Sequence, residues 1–289
     1  MKILGTGLSG LVGSRIVELL SNQYEFENIS RKTGVDISDP IAVFNKVKNS
    51  DASIVLHLAA RTDVETAEKE KSLKEESEAW KINVGGTKNL LDACEKLSKK
   101  IIYFSTDMVF PGTKELPGKY EEEDVPGPVG FYAQTKYEAE KLVEKANCPW
   151  VILRIAYPYR ASFEKKEYVR IFKWLLEEGR EIKAVADHYF TPTFIDDLPL
   201  VLDAIFKNNL VGKIHAGGSE VVSPYEAALK VAEVFGLNKD LIAQTTRAEY
   251  FKDKAPRAYN LSLNNDRIEK LGVRTRSFTE GLEQIKIQL

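Results

Sequence analysis

The chain reads as an α/β protein: a doubly wound, parallel Rossmann-type sheet joined to a smaller C-terminal α/β unit. Three observations predict this. Short apolar runs alternate with longer amphipathic stretches through the first half, the pattern of βαβ units with right-handed crossovers. The string Gly5-Thr6-Gly7-Leu8-Ser9-Gly10-Leu11-Val12-Gly13 follows the first apolar run and opens the first amphipathic one. After about residue 157 the alternation loosens, so residues 1–156 are read as a first domain and 157–289 as a second, partly interleaved with it.

The predicted strands are Lys2–Gly5, Glu27–Ser30, Ser53–Ala59, Ile101–Ser105 and Trp150–Ala156. Between the first three, apolar residues recur at helical spacing: Leu11, Val12, Ile16, Val17, Leu19 and Leu20, then Ile41, Val43, Phe44 and Val47. Long helices are expected over Lys74–Leu97 and Gly130–Ala146. Pro111-Gly112, Pro117-Gly118 and Pro126-Gly127-Pro128 mark one long loop between Thr106 and Gly130, and a loop of that length in a compact domain is usually functional. In the second half, Tyr168–Glu178 reads as a helix, Glu181–Val185 as a strand and Phe194–Lys207 as a helix. Ser223-Pro224-Tyr225-Glu226 supplies a capping serine, a proline at the first helical position and a glutamate three residues past the cap. A last helix starts near Ser277–Glu280.

Composition narrows the function classes. With 41 basic and 43 acidic residues the net charge is -2, which lacks the basic excess of a nucleic-acid binder. No apolar run approaches the length of a spanning helix, and the chain opens on a strand, so a cytoplasmic protein is expected. The two cysteines, Cys94 and Cys148, sit in no metal-ligand spacing, and neither a disulfide nor a metal is expected.

The glycine string fits a specific demand. The backbone must turn tightly, approach a pyrophosphate without a Cβ in the way, and aim helix N-terminal N–H groups at its charge. Its place between a strand and a helix therefore points to a dinucleotide. The acidic residue that usually meets the ribose 2′-hydroxyl of NAD is missing at the second strand end. Ser30-Arg31-Lys32 stands there instead, with no carboxylate before Asp36. A guanidinium forks onto phosphate oxygens, so NADP(H) is expected over NAD(H), which stays as the alternative.

A tyrosine four residues before a lysine occurs three times, as Tyr132/Lys136, Tyr137/Lys141 and Tyr250/Lys254. The first pair lies at the start of the helix after the long loop, near the carboxyl end of the sheet where ligands bind. At about 100° per residue, Tyr132 and Tyr137 point roughly 140° apart, so one of them faces the site. Glu140 and Lys141 read as solvated helix face.

These motifs resemble the extended short-chain dehydrogenase/reductase family. The resemblance rests on Gly7–Gly13, Asp36-Ile37, His57-Leu58-Ala59-Ala60, Asn83-Val84-Gly85-Gly86-Thr87, Ser105-Thr106 and Tyr132-Ala133-Gln134-Thr135-Lys136. Within that family the chain is most similar to the dTDP-4-dehydrorhamnose reductases, through Ala59–Glu68, Phe104–Gly112, Pro192-Thr193 and Asp196-Asp197. The resemblance implies cofactor contacts from Gly7, Leu8, Ser9, Gly10, Leu11 and Val12, from Arg31, Lys32, Asp36 and Ile37, and from Leu58, Ala59, Ala60, Thr62 and Asn83. It implies that Tyr132 protonates a carbonyl oxygen as hydride leaves the nicotinamide. Lys136 would lower its pKa and hold the nicotinamide ribose, and Thr106 would hydrogen-bond the same oxygen. A homodimer through the two long helices is also implied.

One position separates reactions inside the family. Related dehydratases carry a glutamate after Thr-Asp, and this chain has Met108, whose thioether cannot shuttle a proton. Simple reduction of a nucleotide-linked 4-keto sugar is the expected reaction. Val64, Asp107, Met108, Tyr157 and His188 are the candidate substrate contacts. Two alternatives stand beside it: a non-catalytic NADP-binding regulatory subunit resembling the β subunit of methionine adenosyltransferase, and a nucleotide-sugar epimerase. His57 and His215 read as structural.

Overall fold

A computed structural model describes residues 1–289. The first half follows the βα alternation: β1 (Lys2–Thr6), α1 (Leu11–Leu20), β2 (Glu25–Ile29), α2 (Pro40–Asn49), β3 (Ile54–His57), α3 (Val64–Lys69), α4 (Glu78–Trp80), α5 (Thr87–Lys96), β4 (Lys100–Thr106), α6 (Phe131–Glu144) and β5 (Trp150–Ile155). The second half adds α7 (Tyr168–Glu177), β6 (Ile182–Val185), α8 (Leu198–Lys207), β7 (Gly212–His215), α9 (Pro224–Phe235), β8 (Ile242–Thr245), α10 (Arg247–Tyr250), α11 (Asp266–Glu269) and α12 (Phe278–Gln288). Six strands form one parallel sheet in the order β2-β1-β3-β4-β5-β7, and β6 pairs with β8 in a second, two-stranded sheet.

Alternation along the strands decides which helix covers which face. Ile3, Leu56, Ile102, Leu153 and Ile214 point to one side and meet Ile16 and Leu20 of α1 with Leu202 and Ile205 of α8. Their neighbours Leu4, Val55, Ile101, Tyr103 and Ile152 point to the other side, against Val43 and Val47 of α2, Leu90 and Leu91 of α5, and Ala139 and Val143 of α6. A parallel sheet buried on both faces is what the near-continuous apolar strands require.

Three elements differ from the sequence reading. The segment expected as one helix over Lys74–Leu97 is broken into a 3-10 stretch at Lys71–Glu76, α4, a π turn at Lys81–Gly86 and α5. Side-chain bonds to the backbone accompany the break. Ser77 caps the Trp80 N–H, and the Asn83 side chain bonds the backbone of Arg61 at both its N–H (2.7 Å) and carbonyl (3.1 Å). At Gly86 a Cβ would come within 2.7 Å of Ile37, so the glycine admits that side chain. Second, Gly212–His215 is the sixth strand of the main sheet, although it lies in the second half. Third, β8 was not anticipated, and it completes the small sheet. The capping box at Ser223/Glu226 and another at Ser277/Glu280 start α9 and α12 as the sequence indicates. No helix is long and apolar enough to cross a membrane.

Part of the second half is fastened to the first by charge. Arg15 of α1 reaches Asp196 through two bonds, Nε to Oδ1 at 2.7 Å and Nη2 to Oδ2 at 2.6 Å, and Tyr24 donates to Asp203 of α8 at 2.6 Å. Arg15→Met strips the Asp196 carboxylate of its forked partner. It is expected to cost about 1–3 kcal/mol in urea denaturation, with the slope of the transition unchanged.

Candidate functional site

The carboxyl ends of β1 and β3 are neighbours, and the chain reverses direction across the sheet there, which is where ligands of open α/β sheets bind. A cavity of about 490 Å³ opens at this point, lined from one end by Gly7, Gly10, Leu11, Val12 and Gly13. A broader depression of about 720 Å³ near Lys71, Trp80 and Phe131 touches none of these glycines. Gly7 has φ of +68°, and a Cβ there would stand 2.7 Å from the Ala59 nitrogen. At Gly13 a Cβ would lie 2.4 Å from the Gly7 carbonyl oxygen. At these two positions the turn thus admits no side chain. Helix α1 begins with Gly10 as its cap, has no side-chain cap and carries no acid in its first turn, which leaves the positive end of its dipole for an external anion. Both features fit a dinucleotide pyrophosphate.

The floor behind the turn is polar and fully bonded. Thr87 Oγ1 donates to the Asn83 carbonyl at 2.6 Å, so the buried His57 donates from Nε2 to Thr87 (3.0 Å) and accepts at Nδ1 from Thr6 (2.7 Å). Thr6 in turn accepts from the Ala59 N–H. Burial pushes the His57 imidazole down to about 3, so it is a neutral brace that ties the ends of β1 and β3 to α5. Leu58, Ala59, Ala60, Thr62 and Val64 continue from β3 along the cavity wall.

At the other end stand Thr106, Asp107, Met108, Tyr132 and Lys136. Thr106 closes β4, and its hydroxyl donates to Asp107 Oδ1 at 2.9 Å. The second Asp107 oxygen is buried without a partner, and burial raises the carboxyl to about 7. Tyr132 and Lys136 share the buried face of α6. Lys136 Nζ donates to the Phe104 carbonyl at 2.8 Å and lies 4.1 Å from the centre of the Tyr103 ring; burial lowers it to about 7. Burial, helped by Asp107, raises the Tyr132 phenol above its ordinary range.

Tyr157 completes the wall from the end of β5. Its φ of +41° is unusual for a residue with a Cβ. Contacts hold it there: the ring stacks on Phe190 at 3.9 Å, and the hydroxyl meets His188 Nε2 at 2.7 Å. His188 Nδ1 lies 2.7 Å from the Ala258 carbonyl and so carries the hydrogen, leaving Nε2 to accept from Tyr157. His188 is buried, behind the wall rather than on it, and is lowered to about 4.

The structure therefore brings together most of the expected residues and separates others. Leu8 is buried under the turn, and Ser9 is exposed. Asn83 braces backbone, while Ile37 packs against Gly86. Arg31 and Lys32 are exposed in a 3-10 turn at the end of β2, where Arg31 Nε bonds Asp36 at 2.7 Å. Two residues escaped the sequence reading. Arg257 lines the cavity and pairs with Glu65 at 3.0 Å, and nothing in its charged, aperiodic segment marks it. Glu140 is not solvated: it is fully buried and bonded to Arg154 through two contacts of 3.0 and 2.7 Å. The signal was Arg154, a charge inside an otherwise apolar strand that needs a buried partner.

Two outcomes follow from this geometry. Gly13→Ala drives a methyl into the Gly7 carbonyl and should weaken NADPH binding at least tenfold by fluorescence titration, a loss of about 1.4 kcal/mol. For Asp107, the folded state keeps its proton up to about pH 7 while the unfolded chain releases it near pH 4. The stability cost is thus absent below pH 4, grows between the two values and is complete above pH 7. Asp107→Asn, which keeps the shape, should raise the melting temperature by roughly 5 °C at pH 8, with the gain vanishing toward pH 4.

The chain is similar to known proteins over nearly its whole length. The chain is 28% identical over 267 residues to a dTDP-4-dehydrorhamnose reductase of Mycobacterium tuberculosis, covering 91% of this chain and 85% of that one. It is 26% identical over 298 residues to the bovine methionine adenosyltransferase 2 subunit beta, covering 98% and 86%. A crystal structure of dTDP-4-dehydrorhamnose reductase from Bacillus anthracis in complex with NADP superposes with a TM-score of 0.90 at 27% identity, over 100% of this chain and 99% of that one. The model of the RmlD substrate binding domain family matches residues 1–288, and the chain belongs to that family.

Proposed function

We propose that the protein reduces the 4-keto group of a nucleotide-linked deoxyhexulose with NADPH, dTDP-4-dehydrorhamnose being the preferred substrate. The observation that carries this reading is a single cavity with a glycine-rich turn, free of ionisable side chains, at one end and Thr106, Tyr132 and Lys136 at the other. Bound NADPH supplies the hydride. The glycine turn and the N-terminus of α1 hold the pyrophosphate, and Arg31, released from Asp36, meets the 2′-phosphate. Tyr132 gives its proton to the carbonyl oxygen. A phenol raised by burial is protonated at neutral pH and so suits proton delivery in the reductive direction. Thr106, turned away from Asp107, donates its one hydroxyl hydrogen to the same oxygen, and Lys136 stabilises the phenolate that Tyr132 leaves. Asp107 and Tyr157 orient the sugar, and Arg257, the only wall cation besides Lys136, meets the diphosphate. Met108 gives no acid or base for elimination.

A second reading, an NADP-binding subunit without turnover, is supported by the 26% identity to the bovine β subunit. Loss of NADPH absorbance with dTDP-4-dehydrorhamnose favours the reductase, and tight NADPH binding without consumption favours the subunit. Tyr132→Phe is expected to lower kcat at least 100-fold while the dissociation constant for NADPH stays within threefold of wild type. An unchanged kcat removes Tyr132 from the proton-donor role.

A further inference from the structure

Helix α6 places Tyr132, Lys136 and Glu140 four residues apart, on one face. All three are buried, Glu140 completely. A carboxylate out of water next to a catalytic ammonium needs a reason, since burying a charge is costly unless it is paired. Arg154 is the pair. It is itself fully buried, grips both Glu140 oxygens, and spends its remaining Nη1 donors on the Glu122 carbonyl (3.1 Å) and against His215 Nε2 (3.3 Å). Its guanidinium also lies 4.8 Å from the Phe110 ring centre. One side chain thereby links α6 to β5, to β7 and to both arms of the long loop that precedes α6.

We propose that Glu140, clamped by Arg154, is a positioning residue for the reduction: it fixes the helix face that carries Tyr132 and Lys136 and sets a buried carboxylate one helical turn from Lys136. The inference rests on the reading of Tyr132 and Lys136 given above.

The surroundings of Lys136 show why this anion matters. On its own helix it has Tyr132 and Glu140. From β4 come the Tyr103 ring and the Phe104 carbonyl, neither of them charged. From β3 comes His57, buried and neutral. Asp107, beyond β4, has its carboxyl raised by burial and engaged by Thr106. Arg154, on β5, stands behind Glu140 and carries the wrong sign. Burial pulls the Lys136 ammonium down, and the charge of Glu140 opposes that pull. Removing Glu140 therefore moves Lys136 toward its neutral form at lower pH.

The test is the pH dependence of kcat/KM for Glu140→Gln and for the double variant Glu140→Gln/Arg154→Met, which removes both members of the buried pair and leaves no stranded guanidinium. The alkaline limb is expected to move down by about one pH unit in both, with kcat at pH 8 roughly tenfold lower. Glu140→Asp keeps the charge but retracts it by one methylene, and its limb should lie between those of the wild type and the Gln variants. A double variant that binds NADPH and keeps the wild-type limb overturns the proposal. If the Gln variants do not fold, Glu140→Asp decides it: a lowered limb supports the positioning role, and a wild-type limb overturns it. Tyr132→Phe is run alongside. Retained turnover there defeats the reading of the site itself, whereas lost turnover with unmoved Glu140 limbs defeats only the positioning role.

Discussion

Arg154 and Glu140 form an ion pair with no exposure on either side chain, and the site depends on it. Neither charge would stay dry alone. Together they close a path from the sheet, through β5, to the helix that presents Tyr132 and Lys136. Breaking such a pair by removing one member costs about 3–5 kcal/mol, so α6 is held in place as long as the pair is intact. The loop over residues 107–130 needs no regular structure for the same reason. Arg154 bonds its backbone at Glu122 and packs against Phe110 at its start, while Phe110 and Tyr120 stack at 4.2 Å.

Burial then sets the proton inventory. Within one cavity, desolvation keeps a phenol protonated, brings a lysine down and a carboxyl up toward the same pH near 7, and holds the histidine beneath them neutral. Groups whose environments push their ordinary values together or apart are the usual mark of acid/base sites. Here the shifts share one first cause, burial away from water. The glycine end works by the opposite means. It places no ionisable side chain in the turn and relies on backbone N–H groups and a helix dipole, which do not titrate.

Much of this was legible in the sequence because it is local. The Gly7–Gly13 turn lies between a strand and a helix, and Tyr132 and Lys136 are one helical turn apart. The capping box at Ser223 spans four residues. What the sequence hid is long-range. Glu140 reads as one more surface charge in Tyr-Glu-Ala-Glu-Lys until β5 brings Arg154 to it, 14 residues on. Gly212–His215 is too short to mark itself as the sixth strand, and its place is decided by pairing with β5. Arg257 reaches the cavity from a segment without periodicity. The expected helix over Lys74–Leu97 failed because the Asn83 side chain and the backbone it bonds at Arg61 are brought together by the fold, not by helical spacing.

In the proposed reaction hydride passes from NADPH to a sugar carbonyl inside this cavity. The most direct measurement uses NADPH carrying deuterium at the transferable position of nicotinamide C4 and dTDP-4-dehydrorhamnose, with mass spectrometry of the nucleotide-sugar product. Deuterium is expected on the sugar carbon that bore the carbonyl, in step with NADPH consumed. Cofactor that stays bound with its label, beside unchanged keto sugar, would contradict it.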